Sequence, residues 1–413
     1  MKKITLLIIV ILISVLALEI YSENRAVIDS GECGDNLAWT LYEDGELVIE
    51  GTGDMWDYGY LVKSPWSAYS SKIKKLTLTD GITSIGEFAF NNCSSLKGNL
   101  VIPYGVTEIG QRAFFSCSGL VGGLKIPNSV TTIGYQAFYE CSGFTGDLII
   151  PDSVTTIGGY AFYKCSGFTG KLVISGSITT IEEYTFRHCS GFTGSLTIPG
   201  SVTTIGKHAF TYCSGFTGDL IIPDSVTTIE KYAFCYCEGF NGSLVLSNNT
   251  TVIESHAFFC CTGFTGDLVI PNSVTTLGEG AFLNCSGFTG DLIISDSVTS
   301  ILEYTFVDCS GFTGKIVIPS SVTEIGKYAF ASCDGFKEDL IIPDSVTSIK
   351  ENAFDGCSGI TAVYFKGDAP TVVEKNDYSS SFDANSTLYY RPSKSGWIDS
   401  EYYRVELASN ELE

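Results

Sequence analysis

The stretch DLIIPDSVTTIGGYAFYKCSGFTG, residues 147–170, recurs in related form along most of this chain and decides its fold. A phenylalanine stands three residues before each of twelve cysteines that are spaced 24 residues apart. These cysteines are Cys93, Cys117, Cys141, Cys165, Cys189, Cys213, Cys237, Cys261, Cys285, Cys309, Cys333 and Cys357. A fixed period of this length is typical of a solenoid, in which units stack on their neighbours and share one continuous core.

The first part of the unit predicts a short strand. Leu148 and Ile150 are two residues apart, so they share the buried face, whereas Asp147 and Ile149 point to solvent. Pro151 lacks an N–H group for a β-ladder and ends the strand. Neighbouring strands of this kind would pair as one parallel sheet along the solenoid.

The second part of the unit predicts a helical turn. Val154 and Ile157 continue the buried set, and buried Ala161 and Cys165 follow at a spacing that suits one or two turns of α- or 3₁₀-helix. Gly167 is expected to end this turn in a left-handed conformation.

The regions that do not fit the repeat predict the domain boundaries. Residues 1–22 hold two lysines and then an almost wholly apolar run, which is typical of a secretory signal peptide. Residues 23–73 and 362–413 contain all four tryptophans and are predicted to be an N-terminal cap and a C-terminal cap with a tail. Residues 74–361 then form the solenoid. After removal of the signal, no remaining apolar segment is long enough to span a membrane.

The composition argues against a nucleic-acid partner. The 413 residues carry a formal net charge of −22, which repels phosphates and anionic lipid head groups. The hydrophobic fraction is 44%, so the chain has ample apolar material for a core.

No catalytic, cofactor or metal site is predicted. Zinc sites pair cysteines two to four residues apart, and one cysteine every 24 residues does not do this. We interpret the ladder as a buried column of free thiols. Cys235 and Cys260 lie outside the ladder in adjacent units, where a surface disulfide and two free thiols are both open alternatives. The three histidines, at 188, 208 and 256, are expected to face solvent.

The repeat resembles the BspA-like class of leucine-rich repeats. The resemblance rests on the pattern Leu-x-Ile-Pro-x-Ser-Val-x-x-Ile-Gly/Glu-x-x-Ala-Phe-x-x-Cys-x-Gly-Phe, as in Leu220 to Phe240. It implies an α/β solenoid of about twelve repeats, with a parallel β-sheet face, short helical or 3₁₀ turns, and a cap at each end. It also implies a secreted or surface location, and several members of the class are adhesins. This chain departs from the class in an extra linker residue and in having no sorting motif or cell-wall-binding repeat at its C-terminus.

The outward side of the predicted strands is the candidate binding surface. Its middle position is mostly aliphatic and is bordered by aspartates, which is unusual for a monomer and suggests docking of a protein partner. The predicted contact residues are Asp147, Ile149, Val173, Thr197, Asp219, Ile221, Val245, Asp267, Val269, Asp291 and Ile293. The alternatives are that β-branched residues stand there for strand propensity alone, or that a second chain covers them in a self-assembling structural protein. Tyrosines in the variable part of the unit form a second candidate surface, unless neighbouring units bury them.

Overall fold

The computed structural model describes residues 25–372, 381–390 and 395–397. The predicted signal segment and most of the predicted C-terminal tail lie outside these residues. Within them, the chain forms a solenoid of 28 short strands and one 3₁₀ helix, and no α-helix.

The N-terminal region contains a β-hairpin that follows strand β1 (Val27–Gly34). Strands β2 and β3 pair antiparallel across a turn in which Gly45 adopts φ +88°. Strand β5 (Lys75–Leu78) then pairs parallel with β3. The elements of this region are β1 (Val27–Gly34), β2 (Leu37–Tyr42), β3 (Glu46–Gly51), β4 (Gly53–Asp54), the 3₁₀ helix (Pro65–Tyr69), β5 (Lys75–Leu78) and β6 (Ile82–Ile85).

The predicted strands line one side of the solenoid, which we call the strand face, and pair parallel in separate groups of two or three. Leu148 and Ile149 pair in register with the equivalent residues one unit later, Leu172 and Val173. Leu148 is buried and Ile149 is exposed, so the predicted alternation is confirmed. The strands are β9 (Leu148–Ile149), β11 (Leu172–Val173), β14 (Leu220–Ile221), β16 (Leu244–Val245), β18 (Leu268–Val269), β20 (Leu292–Ile293), β22 (Ile316–Val317), β24 (Leu340–Ile342), β26 (Ala362–Phe365) and β28 (Thr387–Tyr390).

A second parallel ladder, which the sequence reasoning did not predict, forms the threonine face. Its inner residue is the buried isoleucine at position 157 of the quoted unit. Threonine hydroxyls donate along it, as from Thr131 Oγ1 to the carbonyl of Thr107 at 3.1 Å. The ladder begins with β4 and β6. The strands that follow are β7 (Glu108–Ile109), β8 (Thr132–Ile133), β10 (Thr156–Ile157), β12 (Thr180–Ile181), β13 (Thr204–Ile205), β15 (Thr228–Ile229), β17 (Val252–Ile253), β19 (Thr276–Leu277), β21 (Ser300–Ile301), β23 (Glu324–Ile325), β25 (Ser348–Ile349) and β27 (Thr371–Val372).

The predicted helical turn is wrong, and the α/β class is therefore not confirmed. Residues 159–164 form consecutive tight turns, in which Tyr160 and Lys164 adopt φ of 58° and 56°. The N–H groups of Tyr160, Phe162 and Lys164 donate to carbonyls of the following unit at 2.8–3.0 Å. An α-helix would instead direct these bonds to residues within its own unit. The turns of successive units thus form a third side of the solenoid, which we call the turn face.

The left-handed conformation predicted for Gly167 is also wrong. Its φ lies outside the left-handed region. A Cβ atom there would lie 2.2 Å from the carbonyl oxygen of Ser142 and 2.5 Å from that of Phe144. Glycine is therefore required because the backbone of the preceding unit lies against it.

Two columns of stacked rings fill the core. The first runs from Trp66 through the twelve repeat phenylalanines, from Phe90 to Phe354, and ends on Phe382, with ring centroids 4.9–5.8 Å apart. The second runs from Phe144 to Phe336. Trp66 is fully buried at one end of the first column and donates its indole N–H to the carbonyl of Ala89 at 2.7 Å.

The cysteine ladder lies inside the solenoid, as predicted. From Cys117 to Cys357, each thiol donates to the carbonyl of the phenylalanine 27 residues earlier at 3.0–3.1 Å. Burial raises the pKa of the thiols from Cys117 to Cys333, for Cys141 to about 12. The cysteines therefore act as small buried side chains that bond one unit to the next.

Candidate partner-binding surface

The strand face presents a stripe of exposed aliphatic side chains. Each outward residue lies between two buried ones, and parallel pairing aligns Ile149 with Val173, Ile221 with Val245 and Val269 with Ile293. The exposed fractions are 55% for Ile149, 45% for Val173, 58% for Ile221, 47% for Val245 and 46% for Val269. Thr197 is also exposed, whereas Ile293 is half-buried. These seven residues, at 149, 173, 197, 221, 245, 269 and 293, are referred to below as the apolar stripe.

The predicted aspartates border the apolar stripe on one side. Asp147, Asp219 and Asp267 are exposed, and Asp291 is half-buried. One carboxylate oxygen of each accepts a backbone N–H at the start of the next strand, for example from Lys171 to Asp147 at 2.7 Å. These side chains therefore have a structural role that the sequence reasoning missed, and the bonds hold each carboxylate in place beside the stripe.

A second column of aspartates borders the other side of the stripe. It comprises Asp152, Asp224 and Asp296, which are all exposed. Asp152 Oδ1 accepts the N–H of Gly176 at 2.8 Å, so this carboxylate is held in the same manner. These residues were not among the predicted contact residues. The sequence feature that could have identified them is their position, because each stands five residues after an aspartate of the first column.

The turn face is built from aromatic rings that cover one another. Tyr160, Tyr184, His208 and Tyr232 stack in sequence with centroid separations of 4.3, 4.7 and 4.7 Å. These four rings are half-buried, which supports burial between units as the main role of the tyrosines. Burial, reinforced by two nearby cations, lowers the pKa of His208 to about 4. The expectation that the histidines simply face solvent is therefore wrong, since all three are half-buried members of ring contacts.

Cys235 and Cys260 are both buried free thiols in the structure. Cys260 Sγ accepts a hydrogen bond from Asn284 Nδ2 at 3.2 Å. Across the described residues, no group of three or more histidine, cysteine, aspartate or glutamate side chains is arranged to hold a metal ion. In the same part of the chain, no helix has the length and apolar character needed to cross a bilayer.

Solved structures share this fold. A leucine-rich repeat protein from Bacteroides ovatus ATCC 8483 is 21% identical, superposes with a TM-score of 0.58, and is matched over 87% of this chain and 99% of its own. A leucine rich cell surface protein from Faecalibacterium prausnitzii A2-165 is 26% identical with a TM-score of 0.45, over 82% of this chain and 96% of its own. The first likeness supports the fold.

The repeat region matches a known protein family. No curated protein matches the chain. A family model described as a BspA type leucine rich repeat region, which holds six copies of the repeat, matches residues 67–167, 120–241, 241–361 and 289–381. These matches span more than half of the sequence and cover the whole cysteine ladder. The chain therefore belongs to the BspA type leucine-rich repeat family.

Proposed function

We propose that this chain is a secreted or cell-surface, non-catalytic binding protein that recognises a protein partner through its strand face, in the manner of an adhesin. The observation that carries the proposal is the apolar stripe, in which five of seven side chains are aliphatic and 45–58% exposed. Contiguous exposed apolar surface with a polar border is typical of interaction sites.

The other sides of the solenoid are poorer candidates for a binding surface. On the threonine face, threonine hydroxyls are used along the ladder, as in the bond from Thr203 to Thr179 at 3.1 Å. On the turn face, the rings stack on one another and present mainly their edges. On the strand face, exposed aliphatic side chains recur at the same position of successive units, with Thr197 as the interruption between Ile149 and Val269.

The absence of catalysis is part of the proposal. The three histidines are the only ones in the sequence, and each is engaged with a neighbouring aromatic ring. Burial raises the pKa of the ladder thiols from Cys93 to Cys333 and disfavours the thiolate that a nucleophile needs. The predicted signal at residues 1–22 supports the proposed location.

The test uses a triple substitution in the stripe, Ile221→Lys, Val245→Lys and Val269→Lys. Binding should be captured from host matrix and cell-surface extracts on the immobilised chain and then measured with the isolated partner. Removing three central apolar contacts should weaken binding by about 100-fold or more. The matched control is Thr180→Lys, Thr204→Lys and Thr228→Lys on the threonine face, which should bind as the wild type does. Equal binding by both variants would overturn the proposal.

Self-assembly into a structural surface layer is the second candidate, because the aligned stripe could also be covered by a second copy. Light scattering over a range of protein concentrations separates the two. A monomer at the highest concentration supports partner binding, whereas growth that the strand-face variant abolishes supports self-assembly.

A further inference from the structure

The charges beside the apolar stripe are strongly one-sided. Between residues 147 and 296, the two columns that flank the stripe hold seven aspartates and one lysine, Lys171. The aspartates are Asp147, Asp152, Asp219, Asp224, Asp267, Asp291 and Asp296. Six of the seven are exposed. A partner that covers the stripe must therefore bring its own flanks close to carboxylates on both sides.

The dimensions of this surface suit a helix. The stripe runs over six unit steps, or about 29 Å at the spacing of paired strands. The two aspartate columns are five residues apart along the chain, or at most about 16 Å, because the second column already lies in the turn after the strand. An α-helix with its side chains is about 10–12 Å wide and covers 29 Å with about 19 residues. Its basic side chains would then extend outward to the columns on either side.

The charge also argues against a second copy of this chain in the same place. Two strand faces packed against each other would bring aspartate columns together, and like charges at close range oppose association. A partner with lysine or arginine on both sides of a narrow apolar ridge has the complementary pattern. Recognition of an amphipathic helix by an apolar groove is a recurrent mode of binding.

We propose that the strand face binds a basic amphipathic helix of about 19 residues, whose apolar ridge covers the apolar stripe and whose cationic flanks contact the two aspartate columns. This inference rests on the proposed function and adds the chemistry of the partner. The bonds that hold Asp147 and Asp152 to the next unit keep the carboxylates at fixed spacing, which reduces the ordering required on binding.

The test uses two synthetic helices of about 19 residues with the same leucine ridge, one flanked by lysine and one by glutamate. Fluorescence anisotropy with the whole chain should show the lysine peptide binding at least about tenfold more tightly, with an affinity that falls as salt is raised. The variant Asp219→Asn, Asp267→Asn and Asp291→Asn keeps an oxygen for each backbone N–H. It should weaken binding of the lysine peptide about tenfold.

The matched control removes three charges from the turn face, with Glu183→Gln, Glu279→Gln and Glu303→Gln. It should leave the affinity unchanged. Equal binding of the two peptides, or equal weakening by the two charge variants, would overturn the inference. If that happens while the triple lysine variant of the stripe still loses the partner captured from extracts, the proposed function stands and only the partner's chemistry is wrong.

Discussion

Gly215 and Gly218 stand three residues apart in one repeat and are glycines for different physical reasons. At Gly215, a Cβ atom would lie 2.1 Å from the carbonyl oxygen of Phe192 and 2.6 Å from that of Ser190. The closer approach is about 1.3 Å inside an ordinary contact of 3.4 Å, and backbone atoms cannot rotate away. At Gly218, φ is +81° and no atom lies within 4 Å of the same position.

Alanine at each position should therefore give unequal losses of unfolding free energy. Gly215→Ala must separate two units in the middle of the stack. Overpacking typically costs about 1–3 kcal/mol, and a clash with fixed backbone should place this loss at the upper end, about 3 kcal/mol. Gly218→Ala meets only the strain of a left-handed residue, about 1 kcal/mol. Urea denaturation followed by circular dichroism measures both, with the wild type and an exposed Thr217→Ala variant as references.

Asparagine makes the comparison sharper, because it tolerates the left-handed region but is larger than alanine. Gly218→Asn should be nearly as stable as the wild type, whereas Gly215→Asn should be at least as unstable as Gly215→Ala. Equal losses for the two alanine variants would refute the close-packing explanation. If Gly215→Asn is instead as stable as the wild type, the glycine at 215 is required for a left-handed backbone conformation and not for close packing.

Three further predictions concern the thiols and the histidines. Cys213→Ala removes the donor to the carbonyl of Phe186 and leaves a small cavity, so the free energy of unfolding should fall by about 1–2 kcal/mol. Cys213→Ser keeps a donor and should lose less stability. Equal losses for the two variants would contradict a role for the hydrogen bond. Titration of the reduced protein with a thiol reagent should label almost no cysteine in the native state and all fifteen after denaturation. If only thirteen thiols are labelled after denaturation of the unreduced protein, two cysteines form a disulfide, for which Cys235 and Cys260 are the candidate pair. The pKa of His208 is lowered in the fold, so the unfolded chain is protonated first and the stability contributed by the neutral ring is lost as pH falls from about 6.5 to about 4. Over this range, the melting temperature of His208→Tyr, which preserves the ring column, should fall less than that of the wild type. Parallel melting curves would show that His208 does not cause the pH dependence.

The features that could be predicted from the sequence are those that depend on which side chains are buried. The strand face follows from the alternation of Leu148, Ile149 and Ile150, which holds for any parallel stack of such units. The buried cysteine column follows from its repetition alone. In both cases, the same side chain occupies the same environment in each unit, so repetition removes the ambiguity of a single short segment.

The turn could not be predicted from burial because two backbone arrangements bury the same residues. Ala161, Phe162 and Cys165 point inward in the stacked turns, as they would from a helix. The difference lies in the destination of the N–H groups, and side-chain spacing does not report it. The residue types at 160 and 164 did not indicate the stacked turns either, since tyrosine and lysine rarely adopt the positive φ that they have here. Only the first aspartate column was included in the predicted binding surface, because the second lies beyond the end of the predicted strand, where aspartate is common in turns.

The connection between fold and binding surface lies in where each unit makes its bonds. Phe162 donates its N–H to the next unit, while the thiol of Cys165 donates to Phe138 in the preceding one. A unit can therefore complete its hydrogen bonds only between folded neighbours, and the backbone alone sets the spacing of the outward side chains. Lys125 demonstrates the consequence, because it pairs with Val101 and Ile149 on either side although it is charged. The strand face can thus change its chemistry at one unit, as it does at Lys125, while its geometry is kept.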